Sequence, residues 1–372
     1  MRILFTGGGT GGHFFPIIAV TREIKRIAEE ERILEKDLYY MGPDDFGADL
    51  LRQEEIKSIK VLSGKIRRYF SLYNISDFIK LAIGTAQAFW KFFLTMPDVV
   101  FSKGGYGAVP AVIMCAVFRI PLIIHESDSV PGRVNLFSAR IARRVAVAFP
   151  SAAEFFPKKK TALIGIPIRK GLLGGIRETA RQNLGVTSNL PAIGFIGASQ
   201  GSQAINNALL GVLRELAENF EILHQTGAKN FTEVRGEGEV SLESGHKERY
   251  HAFGFLSESQ MRDFYAASDL VVSRAGASSI FEIAASGKPS ILVPLEGAAQ
   301  DHQRKNAYDY AETGAALVIE DSNLTPHVLL GEIKKIMSNP ALLQKMAPLA
   351  QKFARIDSAE VIAREILNMG IH

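Results

Sequence analysis

The chain has 372 residues, of which 47% are hydrophobic and 22% are charged, and its formal net charge is +4 at pH 7. This length exceeds one ordinary core, so we expect two domains, and the composition excludes an intrinsically disordered chain. The single cysteine, Cys115, lies in the apolar stretch VIMCAVF. An internal disulfide is therefore excluded, and we expect a buried thiol in a reducing compartment.

Charge is distributed unevenly along the chain. Residues 1–160 hold 23 Lys and Arg against 16 Asp and Glu, whereas the rest holds 20 against 23. A basic first part fits a phosphate, a membrane surface or a nucleic acid as partner, and it also fits an ordinary solvated surface. MRILFTG at the N-terminus is typical of a strand and not of a signal peptide. Charged residues or proline interrupt the apolar stretches 78–94 and 109–124, so we expect a soluble or peripheral protein.

Short apolar strands alternate with helices through the first half. Branched apolar runs predict strands at 2–7, 37–42, 98–103, 121–126 and 144–149. Helices are expected between them at 16–31, 74–95, 110–118 and 131–142. This alternation predicts a parallel sheet with crossover helices.

The same pattern restarts after PKKKTALIGIPIRKG, which we interpret as a linker. Strands are predicted at 190–199, 220–227, 250–256, 269–276, 289–295 and 315–320. The sequence thus predicts an α/β protein with two parallel-sheet domains, at 1–162 and 163–354. The C-terminal helix at 355–372 fits either domain. Ligands bind at the carboxyl ends of parallel strands, so we expect these two edges to face each other across a cleft.

A glycine-rich loop follows the first strand. FTGGGTGGHFFP contains G-x-G-x-x-G at Gly7, Gly9 and Gly12, where a tight turn and a helix N-terminus can hold an anion. A nicotinamide dinucleotide is one interpretation, because Asp44 and Asp45 follow the second strand. The additional glycines, the histidine that follows and a second such loop in the other half argue against it.

The second half carries three polar loops suited to a nucleotide sugar. GASQGSQAIN at 197–206 has the composition of a phosphate cradle, although strand-to-helix turns favour Gly and Ser in any case. RAGASSIFE at 274–282 begins another helix, where Glu282 could accept from ribose hydroxyls or act as a helix N-terminal acid. EGAAQDHQRKNA at 296–307 fits a polyhydroxylated ligand. A metal at its Asp-His pair is the alternative, but a third ligand of suitable spacing is missing.

Seven motifs, taken in order, resemble those of the MurG family of bacterial glycosyltransferases. They are GGTGGH, GGYGAVP, HESDSVPG, GIPIR, GASQGS, RAGASSIFE and DHQRKNA, within residues 7–307. The resemblance implies a GT-B fold of two Rossmann-like domains. It also implies inverting transfer of N-acetylglucosamine from UDP-N-acetylglucosamine to the C4 hydroxyl of lipid I, giving lipid II for peptidoglycan.

Other functions remain open beside this one. Another UDP-sugar enzyme of the same fold, such as a glycolipid glycosyltransferase or a UDP-N-acetylglucosamine 2-epimerase, is the alternative within enzymes. HESDSVPG and GGYGAVP favour the transferase, because acceptor-side loops diverge most among relatives. A nucleic-acid binder is disfavoured, since the net charge is modest and aromatic and basic residues interleave in one segment alone.

The resemblance assigns site residues position by position. It places Thr10, Gly11 and Gly12 where donor and acceptor meet. The donor ligands that it implies are Arg169, Ser199, Leu256, Ala277, Ser278, Ser279, Ile280, Phe281, Glu282 and Gln303. Among these, Leu256 would lie near uracil, Glu282 on the ribose and Gln303 on the sugar hydroxyls.

Three residues are candidates for the general base. His13 is the first choice, because imidazole titrates near the operating pH, and bracing of the loop is an equal alternative. Glu126 and Asp128 are the rival bases; Asp128 stands where the family usually has Asn, which adds a carboxylate to the site. Backbone N–H groups, with Arg169 or Ser199, would offset charge on the leaving diphosphate, so no metal or other cofactor is expected.

A membrane-facing segment is predicted in the first half. GKIRRYFSLYNISDFIKLAI at 64–83 combines cations and aromatic residues, which fits an anionic membrane surface, with core packing of 69–75 as the alternative. The resemblance implies a peripheral position on the cytoplasmic face, with other cell-wall and division proteins as further partners. Arg140, Arg143 and Arg144 would extend the positive surface. Helical spacing predicts that a second set of residues is core: Ile79, Ile83, Ala86, Trp90 and Phe93.

Overall fold

The computed structural model describes residues 1–8, 11–33, 35–64, 73–197, 201–298 and 301–370. The chain divides into two compact units. The first comprises residues 1–169 together with the segment from Ile356 onward, and the second comprises Lys170–Arg355. Each unit is a parallel sheet covered by helices.

The first unit contains a seven-stranded parallel sheet in the order β3-β2-β1-β4-β5-β6-β7. Its strands are β1 Arg2–Thr6, β2 Asp37–Gly42, β3 Lys57–Lys60, β4 Val99–Ser102, β5 Leu122–Glu126, β6 Arg144–Val147 and β7 Thr161–Leu163. Its helices are α1 Gly11–Glu30, α2 Ala48–Gln53, α3 Tyr73–Thr95, α4 Val109–Phe118, α5 Arg133–Ser138, α6 Pro150–Ala153 and, at the C-terminus, α16 Ser358–Gly370.

The second unit contains a six-stranded parallel sheet in the order β10-β9-β8-β11-β12-β13. Its strands are β8 Ala192–Ile196, β9 Glu221–Gln225, β10 Tyr250–Phe253, β11 Leu270–Arg274, β12 Ser290–Val293 and β13 Ala316–Val318. Its helices are α7 Arg177–Asn183, α8 Gln203–Leu210, α9 Leu213–Ala217, α10 Phe231–Ser241, α11 Glu258–Ala267, α12 Ala277–Ala285, α13 His302–Ala311, α14 Pro326–Met337 and α15 Pro340–Phe353.

The central strands are buried on both faces, and for this reason their sequences are continuous apolar runs. Phe5, Phe101 and Ile123 of the first sheet and Phe195 and Val272 of the second are at most 2% exposed. All eleven predicted strands are present, whereas β3 and β7 were not predicted. Both are short edge strands of mixed composition, KSIK and TAL, and therefore lack the apolar run that marks a central strand.

The division between the units falls after Arg169, later than the boundary at 162. Residue 162 lies inside β7, whose residues Thr161–Leu163 pair with β6. The chain then returns to the first unit through α16, which packs against α1. Ile362, Ile366 and Leu367 of α16 belong to the same apolar cluster as Ile17 of α1.

Helix α3 corrects one prediction. Its expected core residues are exposed: Ile79 by 53%, Ile83 by 46%, Trp90 by 59% and Phe93 by 55%, and Ala86 is exposed too. A different stripe, containing Gly84, Ala88 and Phe92, faces the unit's interior. The apolar pattern of α3 covers more than one face, so spacing alone could not select the buried one. In the described part of the chain, no helix has both the length and the apolar character that a bilayer crossing requires.

Gly84 allows α3 to lie directly against the segment that follows β3. A Cβ atom there would overlap the carbonyl oxygen of Leu62. We therefore expect Gly84→Ala to lower the free energy of unfolding by about 2 kcal/mol or more, because backbone would have to move. Thermal and urea denaturation measure this loss.

Gly236 in α10 is the matched control, since a Cβ there meets open space. Gly236→Ala should leave stability unchanged or raise it by up to about 1 kcal/mol, because alanine favours the helix. Equal effects of the two substitutions would contradict close packing at Gly84.

Candidate active site

Two glycine loops meet at the carboxyl edge of the first sheet. They follow β1 and β4, the neighbouring strands at which the strand order reverses. Open parallel sheets bind their ligands at such a point. Gly105 has a φ of +78°, and a Cβ on it would lie 3.1 Å from the Cα of Gly8. The loops can approach this closely because neither residue has a side chain.

His13 lies in the first turn of α1, beside this loop contact. Gly11 and Gly12 precede it in that turn, where backbone N–H groups have no partner within the helix. His13 Nδ1 is 3.0 Å from the carbonyl oxygen of Lys103. Because a carbonyl oxygen accepts, Nδ1 carries the hydrogen in the neutral ring and Nε2 is the proton acceptor. A general base needs this tautomer.

Glu126 organises the segment that follows β5. The residue is 3% exposed. Its carboxylate accepts from the backbone N–H of Asp128 at 3.0 Å, from that of Gly132 at 3.0 Å and from the side-chain amide of Asn135 at 2.8 Å. Burial and the nearby Asp128 carboxylate raise the pKa of Glu126. Asp128 is half-buried and so is the more accessible carboxylate of the two.

Lys103, which sequence reasoning missed, is the buried cation of this cluster. It follows β4 and is 1% exposed. Its Nζ lies 2.5 Å from His125 Nδ1 and donates to the hydroxyl of Ser127. Burial lowers the pKa of Lys103 to about 7, although the charges of Glu126 and Asp128 act in the opposite direction. A lysine directly after the apolar strand VVFS was the available sequence signal.

Arg169 lies in the first unit, although the resemblance assigned it to the donor. The centre of its guanidinium is 4.1 Å from the ring centroid of Phe15 in α1. Such cation–π stacking holds a guanidinium in place. A role of Arg169 in offsetting diphosphate charge stays a prediction.

The second unit builds a comparable edge where the loops after β8 and β11 meet. Gly201 has a φ of +80°, and a side chain there would overlap the Thr226 carbonyl. Ser202 caps α8 and accepts from Arg274 Nε at 2.8 Å. Arg274 Nη1 also donates to Asp321 at 2.7 Å. The role of Arg274 was missed because its half-buried ion-pair partner lies far along the chain.

Helix α12 presents its N-terminus at the same edge. The backbone N–H groups of its first turn, from Ala277 onward, precede the first intrahelical bond, which Ile280 donates to Gly276. Ser278 Oγ is buried and, within the described residues, has no hydrogen-bond partner. Ile280 and Phe281 are buried side chains that can meet a ligand only through their backbone.

The remaining donor candidates differ in their surroundings. Glu282 is half-buried and accepts from the hydroxyl of Tyr265 at 3.3 Å, whereas Leu256 is 4% exposed. Gln303 Oε1 accepts from the backbone N–H of Leu295 at 3.0 Å. Beside Gln303, a cavity of about 260 Å³ is lined by Pro294, Leu295, Glu296, Asp301, Arg304, Glu320, Asp321, Ser322 and Asn323.

Two assigned residues, Thr10 and Ser199, lie outside the described residues. Within those that are described, no three His, Cys, Asp or Glu side chains group as metal ligands would. The assigned roles of all these residues stay predictions.

Comparisons with known proteins cover nearly the whole chain. Residues 3–147 match the glycosyltransferase family 28 N-terminal domain, and residues 192–362 match its C-terminal domain. A UDP-N-acetylglucosamine--N-acetylmuramyl-(pentapeptide) pyrophosphoryl-undecaprenol N-acetylglucosamine transferase of Thermoanaerobacter sp. (strain X514) is 35% identical over 371 residues, covering 98% of this chain and 99% of the relative. An identically named protein of Clostridium tetani is 35% identical, covering 91% and 90%.

Solved structures agree with these relatives. The crystal structure of Acinetobacter baumannii MurG matches with a TM-score of 0.74 and 26% identity over 99% of both chains. A putative UDP-N-acetylglucosamine 2-epimerase from Listeria monocytogenes shares the fold, with a TM-score of 0.69 at 14% identity over 97% of this chain and 94% of that one. The two matching domains and the relatives at 35% identity show that this chain belongs to the MurG family of glycosyltransferases.

Proposed function

We propose that this protein transfers N-acetylglucosamine from UDP-N-acetylglucosamine to the C4 hydroxyl of the N-acetylmuramyl unit of lipid I, forming lipid II for peptidoglycan. Relatives named for this reaction, 35% identical over 98% of the chain, are the observation that carries the proposal. The site supports it because each unit places anion-binding loops at the carboxyl edge of its sheet. The 2-epimerase matches at 14% identity, which concerns the fold alone.

The second unit binds the donor in this proposal. The N-terminus of α12 and the turn at Gly201 offer backbone N–H groups to the diphosphate. Glu282, already oriented by Tyr265, accepts from the ribose hydroxyls. Leu256 borders the uracil and Gln303 contacts the sugar. Backbone N–H groups, with Arg169 or Ser199, offset the charge of the leaving group in this proposal, which requires no metal or other cofactor.

The first unit binds the acceptor and removes its proton. His13 Nε2 takes the proton of the C4 hydroxyl while that oxygen attacks C1 of the donor sugar. The bond from C1 to the diphosphate oxygen breaks, and UDP leaves with the electron pair on the face opposite the attack. The configuration at C1 therefore inverts. The Lys103 carbonyl supports this role because it holds the hydrogen on Nδ1, and Asp128 is the second candidate for the base.

We further propose that α3 attaches the protein to the cytoplasmic face of the membrane. Phe78 is 73% exposed, Trp90 59% and Leu94 61%, while Phe89 packs on Phe118 of α4. Together with Phe93, these side chains form an exposed apolar surface, a feature that is typical of a membrane or protein contact. We call the exposed part of α3 the apolar α3 face.

Cations in the same unit support a negatively charged surface as the partner. Arg140 and Arg143 are exposed, whereas Arg144 forms an ion pair with Glu365 at 2.8 Å. The basic and aromatic residues at 65–72 lie outside the described residues. Contacts with other cell-wall and division proteins stay predictions.

UDP should stabilise the protein against thermal unfolding, and NAD should not. At 100 times its dissociation constant, UDP adds about 2.7 kcal/mol to the free energy of unfolding. Glu282→Gln should weaken UDP binding roughly tenfold, since it removes a charged acceptor. Glu243→Gln, at an exposed ion pair with Arg214, is the control and should bind UDP normally. Stabilisation by NAD instead of UDP would contradict the donor assignment.

His13→Ala should lower kcat by roughly 10²–10⁴-fold, because a positioned base is lost. The KM for the donor and the thermal shift with UDP should stay near their original values, since the donor binds to the second unit. Steady-state assays with a lipid I analogue measure the change. His327→Ala, at an exposed position in α14, controls for loss of a histidine. Near-normal turnover of His13→Ala would remove this residue from the chemistry.

The double variant Phe78→Ser, Trp90→Ser should reduce binding to lipid vesicles about tenfold or more, because both apolar side chains are lost. Vesicle flotation measures the bound fraction. Val240→Ser in the second unit, at a site that is 85% exposed, is the control and should float like the original protein. Replacing Arg140 and Arg143 by Gln should weaken binding to anionic vesicles alone. Equal binding to neutral and anionic vesicles would contradict the electrostatic contribution.

A further inference from the structure

Lys103 is a buried cation that the reaction described above does not use. An ammonium group loses most of its hydration at 1% exposure, so it persists only where surrounding groups offset that loss. The residue lies between the two glycine loops and β5. Its backbone N–H donates to the Thr6 carbonyl at 2.9 Å, and its own carbonyl accepts from His13. The backbone of Lys103 is therefore bonded to β1 and to the helix that carries the base, α1.

The hydrogen bonds of the side chain are directional. His125 Nε2 lies 2.7 Å from the Gly165 carbonyl and must donate to it. The neutral ring then has an acceptor at Nδ1, which faces Lys103 Nζ at 2.5 Å. Burial and the Lys103 charge both lower the pKa of His125, which keeps this ring neutral. Lys103 is thus the donor to both His125 and Ser127.

Charged groups surround this amine on several elements. Glu126 at the end of β5 and Asp128 after it favour its charged form, whereas His13 on α1 acts electrostatically on the adjacent His125. Glu126 in turn holds the backbone of Asp128 and Gly132. The ammonium therefore contacts two residues of the acceptor-side segment 125–132, His125 and Ser127, and interacts electrostatically with Glu126 and Asp128 of the same segment.

We propose that Lys103 is a positioning residue for glycosyl transfer, whose ammonium holds Ser127 and the Glu126–Asp128 carboxylates in the arrangement that the acceptor and His13 require. The inference rests on the proposed function and extends it. Lys103 touches no reacting atom; it acts through Ser127, Glu126 and Asp128. Replacing its side chain leaves the carbonyl bond to His13 in place, so the effect of the ammonium can be separated from that of the tautomer.

Because the Lys103 amine is buried, the contribution of its ammonium form to kcat depends on pH. Burial lowers the pKa of Lys103 from 10.5 to about 7, so the ammonium is present below pH 7 and lost as the pH rises. We therefore expect kcat to decline above neutrality. Between these two values the unfolded chain binds a proton at Lys103 that the folded chain has released, so the contribution of Lys103 to the free energy of unfolding rises with pH in this window.

Lys103→Met tests the inference, because methionine fills the space without a charge. We expect kcat at acidic to neutral pH to fall on the order of tenfold or more, with donor KM and the UDP thermal shift unchanged. The alkaline decline of kcat should disappear. From pH 7 to pH 10 the melting temperature of the variant should gain less, or fall more, than that of the original protein. This second measurement needs no activity.

Lys288→Met is the matched control in the second unit. Lys288 is half-buried, its pKa is also lowered by burial, and it donates to the Ser268 carbonyl at 2.8 Å, before β11 and away from the carboxyl edge. This variant should lose stability and keep the original pH profile of kcat. Lys103→Arg is the second variant, for use if Lys103→Met does not fold. A guanidinium stays charged at alkaline pH, so the kcat of Lys103→Arg should not decline above neutral pH.

The inference is overturned if either Lys103 variant has the same kcat as the original protein and the same decline of kcat at alkaline pH. The same conclusion follows if Lys103→Met and the original protein gain equal stability from pH 7 to pH 10. If the original protein bound no UDP and transferred no sugar, the proposed function would fail instead. In that case, comparing the melting temperatures of Lys103→Met and the original protein at pH 7 and pH 10 would still show whether the Lys103 amine loses its proton in this range.

Discussion

The contact between two glycine loops, Gly8 against Gly105, is the constraint on which the first unit's site depends. A side chain on Gly105 would come within 3.1 Å of the opposing backbone and push the loops apart. Separation would move the Lys103 carbonyl away from His13, because Lys103 stands two residues before Gly105. The density of glycine in this part of the chain thus serves the orientation of a histidine as well as the approach of an anion.

Both units support their loops with networks of buried polar groups. In the first unit Glu126 accepts three N–H groups, and a neutral His125 links Lys103 to the Gly165 carbonyl. In the second, Arg274 joins the cap of α8 at Ser202 to Asp321. Buried groups of this kind are costly unless satisfied, so each network restricts its loop to one conformation. Such restriction suits a reaction in which fixed donors meet a developing charge.

Family membership and the exposed residues of α3 concern different aspects of the protein. The family follows from 35% identity over nearly the whole chain. The apolar α3 face is a property of this chain's own packing, in which Gly84 and Phe92 are buried and Trp90 and Phe93 are exposed. An amphipathic helix whose apolar side points outward fits a lipid-borne acceptor, since enzyme and substrate then share a surface.

Local pattern was enough to predict the two-domain α/β fold, the central strands and the motif loops. Central parallel strands are apolar on both faces, and glycine turns follow β1, β4 and β8 directly or after one residue, so both signals lie within a few neighbouring residues. The edge strands β3 and β7, the buried side of α3, the division after Arg169 and the return of α16 to the first unit were decided by tertiary packing. The contacts of Lys103 and Arg274 were also decided by tertiary packing. Their partners, His125 and Asp321, are brought to them only when crossover connections align the carboxyl ends of separate strands, and no local pattern carries that information.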